Sequence, residues 1–416
     1  MSSTIEHIEY KNIQIPIIYE KDVLPTFNLQ LVFKNSGAIK NTIAGLASIS
    51  SKILNEGTKS KGSVKFFEDL ENKAISLHVS PGFETLVIEL GSLKSEYKEA
   101  LDFLSSLLKD PNYSDKVLNK VKTLQIGALK SKENDFDYTA SVELNKLMFK
   151  NTVLENPSAG TSESIKSIKI EDVKKFIKDA FSLENLIIVV GGDIPLEDIK
   201  KDMLSILKEL SKKTNSKLEH IEVVSKVKKQ TLYKETKQAY IYFGSAFNAK
   251  FDDENNYMAK VASFILGGSG FGSRLMEEIR VKRGLAYSAY GHIAINQSHA
   301  YFSGYLQTKT NNAKEAKNLV VSIVDEFVKK GVTKEELEAA KNFLSGSEPL
   351  RVETLSQRLS RSFHLYYKGL DQDYSKKELE LIENLSLDNL NTYIKKHKEI
   401  KKLFFSIVTQ KEKQNS

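Results

Sequence analysis

The sequence contains no cysteine. That absence removes disulfides, thiolate metal sites, iron–sulfur ligation and cysteine nucleophiles together, while leaving the redox compartment open. Also lacking is any apolar run near the roughly 20 residues that a membrane-crossing helix needs. The first twenty residues place Glu6, Glu9, Lys11 and Glu20 among the apolar ones, so no hydrophobic signal core stands out. The chain therefore reads as cytoplasmic, or periplasmic if a signal was removed. Charge of one sign is scarce as well: 61 basic residues against 54 acidic ones leave a net +7. Without a clustered patch, such a balance gives no expectation of nucleic-acid or membrane partners. What the chain does have is length. Its 416 residues, at roughly 150 per domain, are enough for two or three domains with cores of their own.

Hydrophobic periodicity divides the chain into two similar halves. In the first, Phe27, Leu29, Leu31 and Phe33 alternate with more polar residues, the period of a strand with one buried face. Leu46, Ile49 and Ile53 then recur at helical spacing until Gly57, and a short helix follows with Val64, Phe67 and Leu70. Strands near Ile75–Val79 and Glu84–Leu90 flank the turn residues Ser80-Pro81-Gly82. Further helices lead to Glu171–Phe181, a buried strand at Leu186–Val190 and a helix through Ile199, Met203, Ile206, Leu207 and Leu210. The polar run beginning at Ser211 marks a linker, placed at 214–222.

The same order then recurs: a strand near Tyr240–Phe243, helices near Asn255–Leu266 and Ser273–Lys282, strands near Ala286–Ile295 and Tyr301–Gln307, and a last strand at Leu403–Val408. Starts at 44 and 255, 75 and 286, and 186 and 403 lie at a nearly constant offset. The expected fold is α+β: two homologous domains, 1–213 and 223–416, each a mostly antiparallel sheet flanked by helices and related by internal duplication. Helices do not alternate one for one with strands, which argues against a doubly wound parallel sheet.

Several catalytic patterns are missing. The cluster Gly267-Gly268-Ser269-Gly270-Phe271-Gly272 is followed by Ser273, so it is not G-x-G-x-x-G, and no P-loop appears. No G-x-S-x-G elbow supports a serine hydrolase. The seven histidines form no i, i+4 pair and read as surface or hairpin residues.

Two blocks carry a resemblance: Ala44-Gly45-Leu46-Ala47 through Asn55-Glu56-Gly57-Thr58, and Ser273-Arg274-Leu275 through Arg283-Gly284-Leu285-Ala286-Tyr287. With Gly160-Thr161-Ser162-Glu163-Ser164-Ile165 and Thr333-Lys334-Glu335-Glu336-Leu337, they resemble the M16 metallopeptidases, the pitrilysin and mitochondrial-processing-peptidase family. In active members the first block holds an inverted zinc motif, H-x-x-E-H, whose residues share one helical face. Here those positions are Ser48, Ser51 and Lys52. A neutral hydroxyl binds zinc weakly and a protonated ammonium has no lone pair, so no metal is expected on this chain. The resemblance puts a third ligand near Gly127 or Ala128, where no acid stands.

The second block keeps its functional pair. The resemblance implies that Arg280 and Tyr287 donate hydrogen bonds to the scissile carbonyl as it gains negative charge. It also gives Gly267, Gly268 and Gly270 a substrate-binding role in a glycine-rich loop, the alternative being a turn that needs positive φ. The family divides labour between a zinc-bearing half and an Arg/Tyr-bearing half, and this chain looks like the second. It implies a heterodimer in which an H-x-x-E-H homologue supplies zinc and unfolded peptides are the substrates, with a homodimer possible when the chain is alone. The alternative is a peptide-binding or scaffold protein of the same fold with no proteolytic role.

Overall fold

The computed structural model describes residues 3–212 and 218–411, and residues 214–217 of the expected linker lie outside them. One sheet has six strands: β1 (Thr4–Tyr10), β2 (Ile13–Lys21), β3 (Thr26–Lys34), β4 (Ser76–Pro81), β5 (Thr85–Leu93) and β6 (Leu186–Gly192), in the order β1-β2-β6-β3-β5-β4. The other has five: β7 (Lys229–Tyr233), β8 (Gln238–Ala246), β9 (Ala286–Ile295), β10 (Ala300–Lys309) and β11 (Phe404–Thr409), in the order β7-β11-β8-β10-β9. Setting β1 aside, the two orders are the same. Each sheet also has one parallel pair at the same place, β2 with β6 and β7 with β11, and its other pairs are antiparallel. The fold is α+β, with two mostly antiparallel sheets flanked by helices.

Burial follows the patterning. In β3 the side chains of Phe27, Leu29, Leu31 and Phe33 enter the main core of the first unit, where helices such as Leu46–Leu54 and Ile170–Ala180 meet the sheet. Strand β6 is buried along its whole length because both its faces are covered. Ile188 and Val190 face that main core, whereas Ile187 and Val189 face a second cluster around Leu359. In the helix Gly62–Glu71 the buried pair is Phe66 and Leu70, while Val64, expected on the inner face, is 73% exposed.

Leu359 comes from far along the chain. The two compact units are not contiguous in sequence: residues 350–372 pack with the first and residues 131–155 with the second. Each transferred segment carries a 13-residue helix, Phe136–Met148 or Leu355–Tyr367. The physical reason is the second apolar face of each sheet. In the first unit Leu359 covers Ile18, Val32, Ile187 and Val189; in the second, Leu144, Met148 and Phe149 cluster with Phe404 beside Tyr242 and Tyr301. Polar contacts anchor the helix Leu355–Tyr367. Arg358 Nε lies 2.5 Å from Glu20 Oε1, and Ser3 Oγ donates to Glu20 Oε2 at 2.8 Å. Glu20 is only 2% exposed.

Candidate functional site

The helix Leu46–Leu54 begins at Gly45, whose φ of +90° favours glycine. A Cβ there would come within 2.5 Å of Ile165 Cδ1, and one on Gly160 would come within 2.7 Å of the Ala44 carbonyl oxygen. Ser164 Oγ donates to that same carbonyl at 2.8 Å. Two segments singled out in the sequence thus meet, and together they fix the start of the helix that carries Ser48, Ser51 and Lys52.

The three side chains do different things. Ser51 is buried and donates to Ala47 O of its own helix at 3.0 Å. Ser48 is half-buried and Lys52 exposed. The Lys52 ammonium donates to Gln125 Oε1, and Gln125 in turn donates through Nε2 to Ala159 O at 2.8 Å. In the helix Asp115–Ser131 the side chain facing the motif is therefore Gln125, while Gly127 and Ala128 are exposed. A hydroxyl committed to its own helix and an ammonium donating to an amide oxygen do not fit zinc. Among the described residues, no group of three His, Cys, Asp or Glu is placed to hold a metal ion. At the end of the same helix, Asn55 makes a two-way pair with Val79 of β4, its Nδ2 donating to Val79 O and its Oδ1 accepting from Val79 N, both at 2.8 Å. Since β4 is an outer strand, Asn55 occupies part of that sheet edge.

In the second unit, the glycine cluster begins within one π-helical turn, Phe264–Gly268, and runs on toward a second, Glu277–Val281. Gly267 is buried against β9, where a Cβ would meet Gly291 N at 2.5 Å. Gly270 has φ +68° and would place a Cβ 3.6 Å from the Tyr290 ring. Close approach and positive φ account for these two glycines, and Gly268 is exposed. Arg280 belongs to the second π turn, and its guanidinium carbon sits 4.6 Å from the Phe271 ring centroid. The nearby carboxylate of Glu278 is held by Lys282 at 2.6 Å and Arg283 at 2.5 Å, bonds that keep it below its usual range.

Tyr287 stands on the edge strand β9 at a register break. Ala286 pairs with Thr308 and Ala289 with Leu306, so Tyr287 and Ser288 together oppose Gln307. Such a bulge re-aims a side chain. Tyr287 is 83% exposed and lines a cleft of about 1340 Å³ with Gly284, Leu285, Gln307, Thr308 and Lys309; Arg280 is not among its lining residues. Behind the bulge, Gln307 Nε2 donates to Asp137 Oδ2. Burial raises the Asp137 carboxyl above its ordinary value, opposed by the bond from Gln307. Burial likewise pushes the Tyr242 hydroxyl up, followed by the charge of Asp137.

The comparisons with known proteins bear on this arrangement. The profile described as the peptidase M16 inactive domain matches residues 167–344. A Helicobacter pylori protein named "Non-peptidase homolog YmxG" is 42% identical over 415 residues, covering 99% of this chain and 96% of that one. The chain belongs to the peptidase M16 family. A Bacillus subtilis relative, named "Uncharacterized zinc protease YmxG", is 25% identical over 323 residues, 77% of each chain. In fold, a crystal structure of a peptidase M16 inactive domain from Pseudomonas fluorescens matches with a TM-score of 0.90 at 22% identity, covering 100% of this chain and 99% of that one. The chain is thus an M16 member without the H-x-x-E-H motif, and no helix among its described residues is long and apolar enough to cross a membrane. Sequence reasoning missed Gln125, Asn55, Phe271 and the Gln307–Asp137 support. Of these only Phe271, an aromatic residue between two glycines, left a local signal.

Proposed function

We propose that the chain is the substrate-binding and transition-state-stabilising subunit of a two-chain M16 peptidase acting on unfolded peptides. A homologous subunit with an intact H-x-x-E-H motif would contribute zinc and the general base. The observation that carries this reading is a contrast in the use of side chains. In the first unit the motif positions Ser51 and Lys52 are engaged internally, with Ala47 and Gln125. In the second, Tyr287 is exposed at a bulge beside a cleft and Arg280 has an aromatic ring as its side-chain partner. A guanidinium and a phenol are both donors suited to an oxygen that gains charge. An unfolded peptide would pair through its backbone with a sheet edge, which tolerates many sequences.

The test is Tyr287→Phe, which removes one donor and keeps the ring. With the H-x-x-E-H subunit at saturation, kcat for an unstructured peptide is expected to fall about 100- to 1000-fold, with little change in peptide affinity. Unchanged turnover would overturn the catalytic role. The name of the Helicobacter pylori relative favours a second reading, a peptide-binding or scaffold protein without proteolysis. That reading expects no turnover with any H-x-x-E-H subunit and intact peptide binding.

A further inference from the structure

An exposed phenylalanine and an arginine that, among the described residues, has no ion pair occupy adjacent places in the second unit. Phe271 is 69% exposed at the tip of a tight turn, Gly270-Phe271-Gly272-Ser273. Ser273 N donates to Gly270 O at 3.1 Å, and the Ser273 hydroxyl donates to the same oxygen at 2.7 Å. Gly272, with φ +89° and open space around its Cα, occupies the third position of this turn, where a type II turn demands positive φ. The turn therefore fixes the backbone from which the Phe271 ring projects. Across it stands Arg280, 4.6 Å from the ring centroid. The nearest acid in sequence, Glu278, pairs with Lys282 and Arg283 instead, and among the described residues no carboxylate is paired with Arg280.

Stacking on a ring uses the flat face of a guanidinium and leaves its N–H donors, which lie in the plane, pointing outward. Resting on the reading of Arg280 as a peptide-facing donor, we propose that Phe271 is a positioning residue: its ring fixes the Arg280 guanidinium plane so that the edge donors meet a peptide carbonyl oxygen. The π-helical turn contributes the local geometry. Lys282 N reaches back five residues to Glu277 O at 2.9 Å, and the wider turn carries Arg280 ahead of Lys282 and Arg283, the two cations that share Glu278.

The experiment uses the full chain and one probe, a fluorescein-labelled 20-residue peptide of alanine, serine and glycine, with binding read by anisotropy. The chain has no tryptophan, so Phe271→Trp introduces a single indole that keeps the stack and reports the peptide through its emission. Phe271→Ala is expected to weaken binding about 2- to 10-fold and Phe271→Trp to restore it. Arg280→Ala is expected to weaken binding at least as much, with little further loss in the double variant, because the two residues act as one unit. Phe271 is exposed, and an unchanged melting temperature in Phe271→Ala identifies the effect as positioning rather than folding. If Phe271→Ala binds like the parent while Arg280→Ala does not, the positioning role fails and the peptide-facing role of Arg280 stands. If Arg280→Ala binds like the parent, its donors do not hold the bound peptide and the proposal fails, whereas a role confined to the charged transition state is read separately from kcat. Additive losses, or a loss that Phe271→Trp does not restore, also overturn the proposal.

Discussion

Lys52 does more than fail as a metal ligand. Its ammonium donates to Gln125, so an uncharged amide oxygen, not a carboxylate, holds it against the neighbouring helix. Asp137 shows a residue-scale cost of another kind. Its Oδ1 is buried without a hydrogen-bond partner among the described residues, and burial raises the carboxyl above the ordinary 3.8. A carboxyl raised in the folded state binds its proton more readily there than in the unfolded chain. Its ionised form thus costs stability above the folded value, and that cost disappears as pH falls through the raised value to the ordinary one. Relative to Asp137→Asn, which has no such titration, the parent should gain melting temperature between about pH 7 and about pH 4. A difference that stays constant with pH would refute this. The positions of Ser48, Ser51 and Lys52 were legible because one helix fixes their spacing. Gln125 was not, because contact between two helices depends on packing over a separation of 73 residues.

Elements with a strong period announced themselves, and those without it did not. Strand β3 alternates cleanly and β6 is an unbroken apolar run, so both stood out. The hairpin β1–β2 went unread: β2 contains Pro16, which argues against a strand, and β1 is rich in charge. Strand β7 is exposed and polar and has no buried face to betray it. The helix Leu355–Tyr367 was not singled out in the sequence, and its sheet could not be, because an apolar face does not name its partner. Arg358 now identifies the attachment. Arg358→Ala would leave the buried Glu20 carboxylate with Ser3 as its remaining side-chain partner, and such a change should cost on the order of 3 kcal/mol in urea unfolding. Replacing both Arg358 and Glu20 by leucine should cost far less. Equal losses in the two variants would show that the ion pair is not what anchors this helix.

At the scale of the whole molecule, each half of the sequence lacks a helical segment that its own sheet needs. Residues 1–215 expressed alone would leave Ile18, Val32, Ile187 and Val189 without Leu359, and residues 216–416 would leave Phe404 without Leu144, Met148 and Phe149. Separately the two fragments should be insoluble or unfold without cooperativity; coexpressed, they should copurify in equal amounts. Cooperative unfolding of either fragment alone would contradict this. The exchange also bears on descent. The two transferred helices are of equal length and follow corresponding strands of the same repeated sheet order. A single ancestral half would have had a bare sheet face and a spare helix, and two copies trading that helix would each have been complete. Fusion of two such copies would then have joined halves that already shared their helices, and each sheet face would owe its cover to the other half of the chain.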